Sequence, residues 1–205
     1  MYHDVPEDWV ALMCSQAMWA DHPLGRDIAG TIDSVMALTP QQIQQFHASA
    51  YRPEEAVLVV AGAIDSQEVR QAVESTFVHW RGHGAAPAMI PAPASGPAAQ
   101  CPIDVRPSEQ AHLQMAGPGL SRRSSRRFTL ELLNTILGDG MISRLWQRLR
   151  EEMGVAYNIG SYRSLYADTG VVGVYGGCDA QRLFATLDAI MSVWRELQHQ
   201  PVSAD

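Results

Sequence analysis

The sequence predicts an α+β protein made of two related sheet-and-helix parts, and three observations carry that prediction. Apolar runs with strand character are interleaved with capped, amphipathic helical segments. Two of these runs, 155–165 and 170–176, meet at the turn Tyr166-Ala-Asp-Thr169 and read as a hairpin, which argues against a doubly wound parallel sheet. From Gly82 to Ile103 there is no Asp, Glu, Lys or Arg, and Pro87, Pro91, Pro93 and Pro97 stand among alanines and glycines. Such a semi-extended stretch is too long for a routine connection inside one compact domain. The expected division is therefore 1–81, a Pro/Ala-rich linker at 82–103, and 104–205.

In the first part, residues 4–20 read as a helix. Asp4 is placed to cap it, Pro6 and Glu7 suit its first turn, and Trp9, Val10, Leu12, Met13 and Ala17 form an apolar stripe. Asp21-His-Pro-Leu-Gly-Arg26 breaks it, and residues 32–38 form a short helical turn. Thr39-Pro40-Gln41-Gln42 is a capping box opening a helix to about Tyr51, with Ile43 and Phe46 inward. Residues 55–62, with their continuous apolar run, read as a buried strand. Asp65-Ser-Gln-Glu68 is a second capping box, opening a helix to about Trp80.

In the second part, residues 109–116 alternate and read as a strand. Residues 121–137 read as a helix with Phe128, Leu132, Leu133 and Ile136 inward. A helix over 144–153 follows, then the hairpin. Asp179 caps a last helix running to about Gln198.

Composition narrows the function. The 205 residues are 46% hydrophobic and 18% charged, ordinary globular proportions. A chain of this length buries roughly 70% of its unfolded surface without metal or disulfide staples. No run approaches the ~18 apolar residues of a membrane helix, and the N-terminus lacks a basic stretch followed by an apolar one. A soluble chain is expected; the exclusive use of arginine over lysine suggests a GC-rich, bacterial coding background, for which a bacterial cytoplasm or periplasm is the expected location, and the sequence does not reveal which compartment. Cys14, Cys101 and Cys178 are too scattered for a disulfide framework and read as buried free thiols. The net charge is −7, and all of it lies in residues 1–81, which carry four arginines against eleven acids. That is a poor footprint for nucleic acid.

Several motifs are decoys. Gly117-Pro-Gly119 and Gly138-Asp-Gly140 lack the spacing of a dinucleotide fingerprint. The cluster Ser121-Arg-Arg-Ser-Ser-Arg-Arg127 has no interleaved aromatics and reads as a solvated helix face. No G-x-S-x-G element is present. Of the seven histidines, only His79 and His83 are four residues apart. Trp80-Arg81-Gly82 between them supplies no carboxylate base, and Gly82 would end the helix that must present both rings. The pair reads as a helix end entering the linker, and no metal ligand is assigned.

The most informative stretch is Arg144-Leu-Trp-Gln-Arg-Leu-Arg150-Glu-Glu-Met-Gly-Val-Ala-Tyr157, after the turn Leu137-Gly-Asp-Gly-Met-Ile-Ser143. A helix ending at Gly154, with a strand starting at once, holds Arg150 and Tyr157 seven residues apart at one junction. Both side chains are donors able to grip the carbonyls of an extended peptide. The alternative is that Arg150 pairs with an acid on its own helix and Tyr157 is a half-buried strand residue.

These segments resemble the second-domain signature of the insulinase/pitrilysin-type zinc metallopeptidases, the processing-peptidase-like family with an inverted H-x-x-E-H motif. Met1-Tyr-His-Asp-Val-Pro-Glu-Asp, Asp21-His-Pro-Leu-Gly-Arg26, Leu38-Thr-Pro40, Tyr51-Arg-Pro53, Val59-Val-Ala-Gly62 and Glu109-Gln-Ala-His112 occur in family order before it. Asp139, Ile142 and Val155 depart from the commonest family residues. The resemblance implies metallohydrolase-like sheet-and-helix layers forming two similar domains around a peptide, and a zinc endopeptidase acting on extended peptides. It also implies that the family's zinc ligands lie before Met1. The chain then represents the C-terminal part of a first domain and the N-terminal part of a second. It has no catalytic residue, no metal ligand and no cofactor of its own, zinc being implied for the parent. Arg150 and Tyr157 match the positions that reach towards bound substrate in distant members. The implied partners are a peptide or unfolded protein, and either a further copy of the chain or a related peptidase subunit, with neither nucleic acid nor membrane. The alternative reading is a non-catalytic, peptide-binding subunit of the same family.

Overall fold

The computed structural model describes residues 4–81, 88–93, 99–200 and 202. Much of the 82–103 stretch, including His83 and Pro97, lies outside the described residues. The chain forms two compact units, one of residues 1–28 with 90–205 and one of residues 29–89. Packing, rather than chain order, draws these units.

The larger unit is built on a three-stranded antiparallel sheet in the order β1-β3-β2, with β1 at Gln110–Pro118, β2 at Ala156–Leu165 and β3 at Gly170–Asp179. β2 and β3 form the expected hairpin, closed by Tyr166 N–H donating to the Thr169 carbonyl at 2.9 Å. The period of two assigns the side chains to faces. Leu113, Ile159, Val174 and Cys178 lie on one face, each at most 8% exposed. They pack with Leu137, Leu145, Leu149, Ile190 and Val193 into one core. Each such side chain stabilises the fold by about 1.5–3 kcal/mol on burial. The opposite face carries Gln114, Tyr162, Tyr175 and Val171 and is met by α1, Pro6–Trp19, whose Met18 and Trp19 are buried against Val171.

Several expectations are corrected here. α1 is capped at Val5 without a side-chain cap, not by Asp4. The helix expected from Ser121 begins at Arg127, because Ser124 and its neighbours form turns, with Arg127 N–H donating to the Ser124 carbonyl at 3.3 Å. This helix, Arg127–Gly138, presents Asn134, Leu137 and Gly138 to the interior, while Phe128, Leu132 and Leu133 are exposed. Gly138 decides the matter. A Cβ there would lie 2.4 Å from the Ser161 nitrogen, so this face sits closest to the sheet. The three cysteines are free as expected, but Cys101 is exposed and Cys14 half-buried, and only Cys178 is buried.

The smaller unit contains three α-helices, Ile32–Met36, Pro40–Ala50 and Ser66–Phe77, and a 3₁₀ turn at Pro53–Glu55 among its described residues. The Thr39 capping box forms as read, with Thr39 N–H donating to Gln42 Oε1 at 2.8 Å. Asp65 caps its helix by accepting from Gln67 and Glu68 N–H, which holds its carboxyl below the usual range. The buried strand expected at 55–62 is absent. The segment after Glu55 joins no ladder, and Val57 and Val59 are 88% and 81% exposed. Ile43 and Phe46, expected inward, are also exposed. A strand needs neighbours to satisfy its backbone, and no other described residue of this unit is in a strand.

Ordered by chain position, the helices are named α1 (Pro6–Trp19), α2 (Ile32–Met36), α3 (Pro40–Ala50), α4 (Ser66–Phe77), α5 (Arg127–Gly138) and α6 (Leu183–His199). No helix among the described residues is long and apolar enough to cross a membrane.

Candidate functional site

The Arg150–Tyr157 junction is assembled by its local sequence. α5 ends at Gly138, and Gly140 turns the chain at φ +105°, a conformation that favours glycine. Ser143, 2% exposed, donates through Oγ to the Gly140 carbonyl at 2.6 Å and pins the turn. The next helix is not α throughout. Residues Trp146–Glu152 are π-helical, and Met153 N–H reaches back five residues to the Arg148 carbonyl at 3.1 Å. Leu145 and Leu149, both fully buried, anchor this segment in the core. Their inward positions turn Arg150 outward. Gly154, at φ +58°, then reverses the chain into β2.

Arg150 is exposed, and its guanidinium lies over the Trp146 ring at 4.7 Å. The neighbouring acids are engaged elsewhere. Arg148 pairs with Glu152 at 2.8 Å, and Glu151 accepts from Trp146 Nε1 at 3.2 Å. Among the described residues Arg150 is in no ion pair, so its donor fork is held by stacking with its hydrogen bonds unspent. Tyr157 is 56% exposed. The register between β2 and β3 shifts between Ala156 and Asn158, which makes Tyr157 the extra residue of a β-bulge. A bulge re-aims a side chain out of the regular alternation, and π-turns and bulges both recur at functional sites.

The sheet face beneath α1 carries polar groups that sequence reasoning passed over. Next to the bulge, Asn158 lines a cavity of about 150 Å³ with Gln114, Tyr175, Val10 and Glu7. Gln114 Nε2 donates to the Tyr162 hydroxyl at 2.5 Å. Burial first, then the nearby Cys14, pushes the Tyr162 phenol up to about 12, and burial likewise raises the Cys14 thiol. The alternation of β1 held the signal, since His112 and Gln114 are polar residues on one face of a strand whose other face is core.

Metal chemistry was tested against the donors present. Among the described residues no three His, Cys, Asp or Glu side chains converge. His22 Nδ1 accepts from Leu24 N–H, His47 stacks on Tyr51 at 4.7 Å, and His112 Nδ1 lies 3.9 Å from Glu7. His79 is exposed at the end of α4, and His83 lies outside the described residues. These residues do not fit a zinc cage, and no chemical step is derived through one.

Comparison with known proteins gives the family and the fold. The family model described as the peptidase M16 inactive domain matches residues 37–205. A protein of Streptomyces coelicolor described as an uncharacterized zinc protease is 40% identical over 184 residues, covering 87% of this chain and 40% of that protein. The crystal structure of a peptidase M16 inactive domain from Pseudomonas fluorescens matches 98% of this chain and 49% of its own, with a TM-score of 0.88 and 25% identity. A chain of Complex III2 from Candida albicans shares the fold, with a TM-score of 0.78 and 18% identity over 98% of this chain and 49% of that one. The first curated relatives are matched over 40 to 49% of their length. With its α+β layers and its helix-to-strand signature, the chain belongs to the M16 metallopeptidase family.

Proposed function

We propose that this chain is the substrate-gripping portion of a zinc-dependent endopeptidase acting on extended peptides, and that by itself it neither binds catalytic zinc nor cleaves. The observation that supports this is the exposed Arg150 fork, stacked on Trp146 with the acids near it already engaged, seven residues before the bulged and exposed Tyr157. Arg150 and the Tyr157 hydroxyl donate to the backbone carbonyls of a bound peptide. A hydrogen bond from a charged donor is worth about 1.5–3 kcal/mol. Residues 1–81 and 104–205, either side of 82–103, belong in this reading to the first and second domains of the parent.

The test is direct. Peptidase activity, metal content and binding of a fluorescein-labelled unstructured peptide are measured on the purified 205-residue chain. Binding without turnover is expected. Arg150→Ala is expected to weaken it by about tenfold or more, and Tyr157→Phe by less, since it removes a neutral donor. Neither variant should shift the unfolding midpoint, because both side chains are exposed. Stoichiometric zinc with turnover would overturn the reading.

A second reading draws on the fold shared with a chain of Complex III2. In it the parent is a non-catalytic subunit that binds peptide or pairs with an active peptidase. An intact H-x-x-E-H motif elsewhere in the parent polypeptide makes it an enzyme. A degraded motif makes it a partner subunit.

A further inference from the structure

The arginine-rich stretch Ser121-Arg-Arg-Ser-Ser-Arg-Arg127 reads from sequence as a solvated helix face, but only its last residue lies on a helix. The rest forms two successive turns between β1 and α5. These turns are fastened to the closed end of the β2–β3 hairpin. Gly119 N–H donates to the Gly170 carbonyl at 2.8 Å, and Arg122 N–H to the Tyr166 carbonyl at 2.8 Å. Within the turns, Ser124 N–H donates to the Ser121 carbonyl at 3.0 Å and Arg126 N–H to Ser124 Oγ at 3.3 Å. A basic loop held in this way is preorganised, so binding on it has little backbone left to order.

The charge on these turns is not offset within the fold. From Gln110 to Leu130 the chain has four arginines and no Asp or Glu, in a protein whose 15 basic residues face 22 acids. Arg122, Arg123 and Arg126 are exposed. Among the described residues none of the three is in an ion pair. Glu131, the next acid along, pairs with Arg163 of β2 at 2.5 Å, and Asp168, on the hairpin turn, accepts from Ala92 N–H at 2.8 Å. Like charges this close repel, and they stand at the start of α5, where the helix dipole disfavours cations. A bound anion relieves both penalties.

The donors say what kind of anion fits. A guanidinium fork matches a carboxylate in two parallel hydrogen bonds. Single-stranded nucleic acid needs free aromatic faces for its bases, and the neighbouring aromatic, Phe128, lies under the Arg127 guanidinium at 4.3 Å. An extended anionic surface such as a bilayer meets the field of the whole chain, whose net charge is −7. A short acidic segment touches the turns alone. We infer that residues 121–127 are a docking site for a short acidic segment of a partner protein, whose carboxylates accept from Arg122, Arg123 and Arg126. Arg127 is half-buried and donates to the Ser124 carbonyl at 3.3 Å, so it positions the turn rather than the ligand. The inference does not rest on the peptide-gripping reading. The turns adjoin Leu165 and Tyr166 at one end of β2, and Tyr157 lies at the other.

The experiment measures the fluorescence anisotropy of a fluorescein-labelled peptide of alternating Glu and Ser on the purified 205-residue chain, beside its counterpart of alternating Gln and Ser. The Glu peptide should bind at least about tenfold more tightly, three exposed charge pairs acting together. That preference should shrink as salt is raised through about 0.15 M, where the Debye length is about 8 Å. Arg122→Gln, Arg123→Gln and Arg126→Gln combined should bring the Glu peptide to the level of the Gln peptide. The unfolding midpoint should not fall, because all three side chains are exposed. Arg195→Gln, at an exposed position of α6, should leave the preference intact. Arg150→Ala should do the same while weakening both peptides alike, which keeps the outcome at this site separate from the outcome for peptide gripping. The inference is overturned if the two peptides bind equally, if the triple variant still prefers Glu, or if Arg150→Ala alone abolishes the preference. Tighter binding of single-stranded RNA or phosphatidylglycerol vesicles than of the Glu peptide, through the same three arginines, also overturns it.

Discussion

The sheet of the larger unit and the residue 29–89 unit have similar sequence signals and opposite outcomes. Val174 and Leu149 are fully buried, while Val59 and Phe46 are 81% and 61% exposed. Hydrophobicity does not separate the two sets. What separates them is whether a complementary surface packs on them among the described residues. β3 has β1 on one side and β2 on the other, and its apolar face is closed by the π-turn and α6. Residues 57–60 have no strand beside them among the described residues. An apolar run states that it must be covered, without stating by what.

The largest effect that could break this comparison is at Leu149. Leu149→Ala in the closed core should cost about 2–5 kcal/mol in denaturant unfolding, whereas Val59→Ala in the same chain should shift stability by less than about 0.5 kcal/mol. Equal losses at both sites would show that residues 57–60 are packed after all. Next comes Gly138→Ala, whose new Cβ would meet the Ser161 backbone at 2.4 Å. A loss of about 1–3 kcal/mol is expected from forcing α5 off the sheet, and a neutral variant would mean that this face is not the close one.

Thr39→Ala deletes the capping-box acceptor of α3 and should cost about 1 kcal/mol. In a unit with no buried residue among those described, that loss should appear as faster amide exchange along α3 only, leaving the melting of the larger unit unmoved. The smallest effect is at Tyr162. Its phenol is raised above the unfolded value, so the fold favours the neutral form. That contribution is complete below about pH 10 and is lost as the pH climbs through about 12. Tyrosinate absorbance should show one late-titrating tyrosine, absent in Tyr162→Phe. If all six tyrosines titrate together, the hydroxyl is not shielded beneath α1.

Much of the fold was legible in advance. The Thr39 capping box and the β2–β3 hairpin form where their local chemistry places them, whereas Asp179, expected to cap the last helix, caps the 3₁₀ turn Ala180–Arg182 ahead of it, and α6 starts at Leu183 without a side-chain cap. Each depends on hydrogen bonds closed within a few residues. The inward face of α5 was misread because two apolar stripes share that helix, and only the glycine contact at Ser161 selects between them. At the candidate site, the sequence showed Arg150 and Tyr157 seven residues apart across a helix-to-strand junction. It did not show the π-turn that tips Arg150 onto Trp146 or the bulge that displaces Tyr157. Both record a mismatch between helix period, strand register and a fixed core, and that mismatch exists only once Leu145, Leu149 and Ala156 are seated together.

By itself, then, the sequence determined what short-range chemistry can close: helix starts, turns, the glycine reversals, and the family signature from 137 to 157. The tertiary structure decided which apolar surface is core and which is left waiting. Burial is a relation between distant segments, and a segment can report its need for a partner without containing it.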